Sequence, residues 1–325
     1  MREDNGVFSK TMKALSTSQS NAISIIRVMA MILIVSCHIT QGYNQQIAFI
    51  LNVGVQLFFL ISGFLYGKVE LPSTIDFYKK RVVKIYIPFI IVVLLFVGIY
   101  QICGVESVSW RQLIPYAFNM QAYATPIEGF NHMWFLSVIM ICYLVTPIAK
   151  NLLKSKPYLF VSLLLLVSVV EFVFVQKMYS IAAWIVLYLF GMCIGRFDAK
   201  MVNAITIVVS GMGLAILMIF FQWSRLTDSM WTHYSVWLHC VLAIFVFSSL
   251  YAILTKVEIK LPKCLQFVNT ISYEVYLIHH ILILGPLSLL FVTSSKTINI
   301  LVILIITVVL SYMLSLLMNL IRKRI

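Results

Sequence analysis

Ten apolar runs, each about twenty residues long, leave this chain few ways to fold. They occupy 22–42, 47–67, 82–103, 132–150, 157–175, 179–196, 203–222, 234–254, 270–293 and 297–321. A helix needs about twenty such residues to cross ~30 Å of hydrocarbon, and it bonds its backbone N–H and C=O groups internally. Strands of a membrane barrel would alternate polar and apolar residues over about ten positions, and these runs do not. Only 11% of the 325 residues are charged and 62% are hydrophobic, with mean hydropathy +0.99. A soluble domain carries about 25% charged residues. The expected fold class is therefore all-α: a polytopic membrane helix bundle of about ten transmembrane helices.

A net charge of +13 would suit a nucleic-acid partner only if the cations shared a surface. Here they fall in alternate loops. With the N-terminus inside, nineteen of the 24 Lys and Arg residues lie on one side, Lys68, Lys79, Lys80, Arg81, Lys84, Lys150 and Arg196 among them. The other side receives only Arg111, Lys177, Arg225 and Lys296, and Arg27 stays within the membrane. Cytoplasmic loops carry this excess, so both termini are expected in the cytoplasm, with an even number of spans and no nucleic-acid partner. Residues 1–21 read as a polar cytoplasmic segment without the apolar core of a signal peptide. Residues 22–325 read as a single membrane domain without internal repeats. The longest loop, Gly104 to Asn131, is expected on the outer face. Six cysteines stand apart with no CxxC pair, so they read as small apolar residues and no metal is expected.

Against this background a few polar residues stand out. Arg27 and His38 lie in the first span, eleven positions apart, about three helical turns, and so share one face. An ionisable group inside a bilayer is costly without a partner, which makes both candidate functional residues. His38 suits general acid/base work, since imidazole titrates near neutrality. Gly54, Ser62 and Gly63 in the second span permit close helix contact. Before the third span, Lys79, Lys80, Arg81 and Lys84 form a cationic cluster, with Arg81 and Lys84 three apart on nearly one face. It suits either phosphates of a cofactor or anionic lipid. His132 and Trp134 open the fourth span at the interface, and Glu171 is a carboxylate deep in the fifth. The ninth span gathers Ser272, Tyr273, Glu274, Tyr276, His279 and His280, a polar stripe that reads as the second wall of a cavity facing Arg27 and His38.

Together these stretches resemble the acyltransferase family 3 of integral membrane proteins, over nearly the whole chain. The family's Arg-xx-Ala and Arg-x10-His spacings look like Arg27, Ala30 and His38. Its second-helix pattern looks like Gly54 to Phe59 and Ser62-Gly63-Phe64, and its Arg-xx-Arg reads as Arg81-Val82-Val83-Lys84. Its Trp-Phe-Leu and Tyr-Leu-x-x-Pro look like Trp134 to Leu136 and Tyr143 to Pro147. Its late Ser-Tyr-x-x-Tyr-Leu-x-His looks like Ser272 to His279. Lys84 departs from the pattern, because a lysine cannot clamp a phosphate bidentately. The acidic pair that some members carry after the fourth-helix Trp is absent, Val138 to Ile141 standing there.

The resemblance implies an O-acetyltransferase of the bacterial cytoplasmic (inner) membrane, moving acetyl from cytoplasmic acetyl-CoA to a hydroxyl of a cell-surface or exported glycan, free or lipid-linked. By it, His38 acts as general base or carries the acyl group, and Arg27 orients the donor or stabilises developing negative charge. Arg81, Lys84 and Lys80 meet the donor's phosphates. Ser272, Tyr276 and His279 line the cavity, with Trp134 at its outer mouth; the residues alone leave His279 and His280 as alternatives. The rival reading is a transporter or flippase of a polysaccharide intermediate. Such proteins often show internal repeats and paired broken helices, neither of which is evident here.

Overall fold

The computed structural model describes residues 15–174, 181–197, 200–223, 228–257 and 259–323. Residues 1–14 of the expected N-terminal segment, and Lys177, Arg225 and Arg324 of the charge pattern, lie outside them. The described chain is helical, with α1 Thr17–Gln41, α2 Gln45–Leu51, α3 Gly54–Lys68, α4 Thr74–Arg81 and α5 Ile87–Cys103. There follow α6 Trp110–Ala117, α7 Trp134–Ser155, α8 Pro157–Phe174, α9 Ala182–Arg196 and α10 Lys200–Trp223. The series ends with α11 Asp228–Val257, α12 Lys263–Leu284 and α13 Lys296–Arg322. Among the described residues seven helical stretches are long and apolar enough to cross a membrane, and three shorter apolar stretches, Pro157–Val173, Ala182–Arg196 and Asn203–Ile219, lie within the remaining expected spans. The chain is an all-α, multi-pass membrane protein.

Three expected spans differ in detail. The second is broken by a turn at Asn52 and Val53, with Asn44 capping α2 by accepting from the N–H groups of Gln46 and Ile47. The third contains a π-helical turn, Val82–Tyr86, between α4 and α5. The ninth ends at Leu284, nine residues short of the expected 293, because Gly285-Pro286 follows and proline has no N–H to continue the ladder.

The described residues form two compact units. The first comprises residues up to Ala30, Val53–Thr74 and Ile141–Leu265. Its centre is the crossing of α3 with α9. A Cβ on Gly63 would lie 1.9 Å from the carbonyl oxygen of Tyr188, and one on Gly67 2.1 Å from that of Met192. In return, Gly191 and Gly195 press against the carbonyl oxygens of Leu60 and Phe64. Two small-xxx-small pairs thus face each other, the device by which membrane helices bring their backbones together where no hydrophobic effect drives them. Phe64 continues the packing edge-to-face with Phe247 and Tyr251 of α11. The Trp237 indole N–H donates to the Glu171 carboxylate, which supplies a partner for the carboxylate in the fifth span.

The second unit comprises Met31–Asn52, Ile75–Met140 and Gln266–Ile325. Its last helix shows the inverted amphipathicity of a lipid-bathed element. Asn299, Ile303, Thr307, Ser311 and Met318 form the buried stripe, while Leu301, Ile305, Val309 and Met313 are more than half exposed. The long loop is ordered. Gly104 takes φ +65 to end α5, Ser109 and Gln112 form a capping box on α6, and Phe130 packs edge-to-face on Tyr100 and Tyr116. Burial pushes the Tyr116 phenol up to about 12, so it stays protonated while it accepts the N–H of Ile127.

Candidate active site

Four histidines converge in the second unit. His38 comes from the last turn of α1, His132 from the 3-10 turn that leads into α7, and His279 and His280 from α12. The His38 ring centroid lies 5.3 Å from that of His279 and 4.6 Å from that of His280. His132 stacks on His280 at 4.7 Å and meets His279 edge-on at 5.2 Å. His279 is fully buried, His132 and His280 nearly so, and His38 keeps partial exposure.

Hydrogen bonds settle where three of the rings carry their proton. His38 Nδ1 lies 2.7 Å from Gln41 Oε1, and an amide oxygen only accepts, so Nδ1 is the donor. His279 Nδ1 donates to the carbonyls of Val275 and Tyr276, and His280 Nδ1 to that of Gly129. In the neutral rings each Nε2 then holds a lone pair. His279 Nε2 is buried with no hydrogen-bond partner among the described residues, while His132 has the backbone of Leu277 within hydrogen-bonding reach. Buried polar atoms are normally satisfied, and an exception in a cluster of bases marks a place for a ligand or water. Among the described residues no group of His, Cys, Asp or Glu is arranged to hold a metal ion.

The supporting shell is built from the backbone. The Tyr276 hydroxyl donates to the carbonyl of His132, tying α12 to the turn before α7. Phe135 packs on Tyr276 at 5.2 Å, and Gln121 donates to the carbonyl of Met133. Of the expected cavity residues, His279 and Tyr276 stand here. Ser272 is buried, but its hydroxyl donates back to Asn269 on its own helix, as serines in helices commonly do. Trp134 is half-buried at the start of α7. By sequence alone His280 is an alternative to His279 and His132 reads as interfacial; in the structure both belong to the cluster. The signal for His132 was its place two residues before Trp134, in a turn that the sequence reads as the plain start of a helix.

Arg27 belongs to the first unit. It is half-buried, with Tyr66 and Tyr143 within electrostatic reach. Those rings meet edge-to-face at 5.7 Å, and the Tyr188 hydroxyl next to Tyr143 bonds to Thr146 at 2.6 Å.

The cationic cluster before the third span is shaped by its π turn. Such a turn closes i→i+5 bonds and holds more residues than an α turn, so Arg81 and Lys84 are set wider apart around the axis than α-helical spacing predicts. The Arg81 guanidinium lies 5.5 Å over the Phe77 ring, Lys80 is exposed, and Glu274 has Lys84 and Arg322 within electrostatic reach. Tyr273 donates to the carbonyl of Ile85 within the turn. A second cationic site lies in the first unit, where Lys68, Lys150, Lys154 and Arg196 line a shallow cleft with Glu70. Lys150 is committed there, its ammonium donating to the carbonyls of Tyr66, Gly67 and Val69 at 2.8–2.9 Å.

A family model described as an acyltransferase domain matches residues 20–316, nearly the whole chain. The chain belongs to this acyltransferase family. No curated protein and no solved structure matches it. A neutral Nε2 can accept a proton from an attacking group and return it to a leaving group, and Gln41 holds His38 in the tautomer that does so.

Proposed function

We propose that this acyltransferase moves an acetyl group from cytoplasmic acetyl-CoA to a hydroxyl of a cell-surface or exported glycan, with His38 as general base, in the inner membrane of a bacterium. The observation that carries the reading is the pinned Nδ1–H of His38, which leaves Nε2 basic beside the imidazoles of His279 and His280. Nε2 takes the hydroxyl proton as the oxygen attacks the thioester carbonyl carbon. The tetrahedral intermediate collapses, the C–S bond breaks, and the CoA thiolate takes the proton back from His38. Ester and thiol are formed, and the histidine is unchanged. Arg81, Lys84 and Lys80 hold the donor's phosphates as cations, and Arg27 stabilises negative charge on the donor. Tyr276 and His279 flank the acceptor, with Ser272 deeper on the same helix and Trp134 at the mouth.

The test incubates membranes holding the protein with radiolabelled acetyl-CoA and surface glycan of the host. Alkali-labile label on sugar, present with wild type and reduced about 100-fold or more in His38→Ala and Arg27→Ala, supports the reading. Undiminished label in His38→Ala removes the base from the mechanism. No label, with glycan still crossing the membrane in a protein-dependent way, replaces the enzyme with a transporter.

A further inference from the structure

Each of three imidazoles gives its proton to a group outside the cluster. The Nδ1–H groups of His38, His279 and His280 are spent on Gln41, on the α12 backbone and on Gly129. What they leave for one another is basic Nε2 atoms, which cannot bond among themselves while neutral. His279 is the sharpest case. Its Nδ1 points back to the carbonyls one turn earlier on its own helix, so Nε2 points away from that helix. It is fully buried, and no described residue donates to it. The His38 ring, whose Nδ1 is likewise held by its own helix, lies 5.3 Å away. The pair presents two acceptors and no donor, and His38 is the partly exposed one of the two rings.

We propose that the acyltransferase recognises a vicinal diol, one hydroxyl donating to His38 Nε2 and becoming acylated, its neighbour donating to His279 Nε2. This rests on the reading of His38 as the base. Hydroxyls on adjacent carbons stand about one hydrogen-bond length apart, so one rigid ligand satisfies both nitrogens. A lone alcohol satisfies His38 and leaves His279 bare in a water-poor site, and a buried acceptor left without its donor is what such sites discriminate against. The second hydroxyl keeps its proton throughout. His279 therefore contacts substrate and selects it, while His38 alone exchanges the proton.

The test uses the full chain in lipid nanodiscs with radiolabelled acetyl-CoA and either cis-1,2-cyclohexanediol or cyclohexanol. The expected kcat/KM for the diol exceeds that for cyclohexanol by about tenfold or more. His279→Phe should bring the two within about twofold, and His279→Asn, which keeps a polar group there, should retain part of the preference. Equal use of both alcohols by wild type, or a preference that survives in His279→Phe, overturns the proposal. Binding is read separately by 15N NMR of histidine-labelled protein without acetyl-CoA, the His279 signals being assigned by their loss in His279→Phe. The diol should shift the His279 Nε2 resonance and cyclohexanol should not. A diol-dependent shift without acylation upholds the diol site and refutes the acetyl-transfer reading; no shift overturns the diol site whatever the transfer assay gives.

Discussion

The rings of His132 and His280 lie face to face, their centroids 4.7 Å apart and their planes 17° from parallel. His280 in turn donates to the carbonyl of Gly129, three residues before His132. One side chain of α12 therefore holds both the backbone and the ring of the turn that enters α7. Removing it leaves a buried carbonyl unsatisfied, at a cost of about 1–3 kcal/mol, and frees the His132 ring. His280→Ala should accordingly lower thermal stability in detergent and slow acyl transfer about tenfold. His280→Asn, whose amide can still donate to Gly129, should recover most of the stability. Melting by intrinsic fluorescence and transfer from labelled acetyl-CoA, measured on the same preparations, separate the two effects.

Gln41 makes the next case. It contacts no substrate in the proposed reaction, yet its Oε1 keeps the His38 proton on Nδ1. Without that acceptor the ring is free to place its proton on Nε2, where it cannot act as a base. Gln41→Leu should reduce kcat by about 10- to 100-fold with little change in the KM for acetyl-CoA, a positioning loss within the range that general base catalysis supplies. Gln41→Glu, which keeps the acceptor, should stay closer to wild type. A Gln41→Leu enzyme with unchanged kcat would show that the tautomer is set elsewhere.

The crossing of α3 and α9 gives a prediction with a built-in control. The smallest possible addition, Gly63→Ala, places a methyl 1.9 Å from the Tyr188 carbonyl oxygen, which is backbone and cannot swing aside. The helices must separate, and the folded yield should fall sharply. Gly98 in α5 has nothing within 4 Å of the same added carbon. Gly98→Ala should be neutral or stabilising by up to about 1 kcal/mol, since alanine is the better helix former. Size-exclusion profiles of the two variants, expressed side by side, test the contrast.

What could be read from the chain alone follows from how strictly each signal is enforced. Lipid demands apolar runs of set length, so among the described residues seven of the ten expected spans are met by helices long and apolar enough to cross a membrane, and apolar helices stand at the other three. Proximity of polar side chains is not enforced by any run. His279 and His280 are adjacent, and which one faces inward depends on helix rotation; both do, because His38 lies within 5.3 Å of each ring. His132 looked interfacial because nothing local announces the 3-10 turn that carries it inward. The π turn at Val82–Tyr86 leaves no composition signal, so the shared face of Arg81 and Lys84 was inferred from a helix type the chain does not adopt there. The partner of Glu171 lies 66 residues away in sequence, on α11, beyond any periodicity.

Lys150 supplies the last contrast. Loop lysines of membrane proteins are commonly topology signals whose loss changes little in the folded state. Lys150 instead meets three carbonyls at the end of α3, where a helix leaves its last C=O groups without partners. Its three N–H donors match them one for one, so a single ammonium closes the helix from a neighbouring one. Lys150→Met keeps the length and the apolar stem but strips three acceptors of their donor, and should cost about 2–4 kcal/mol. Lys154, exposed on the next turn of α7, is the control: Lys154→Met should shift stability by less than about 0.5 kcal/mol. Thermal unfolding of the two variants in the same detergent decides between a structural lysine and an ordinary positive-inside one. Equal midpoints would leave Lys150 as a topology signal and return the cleft beside Arg196 to the solvent.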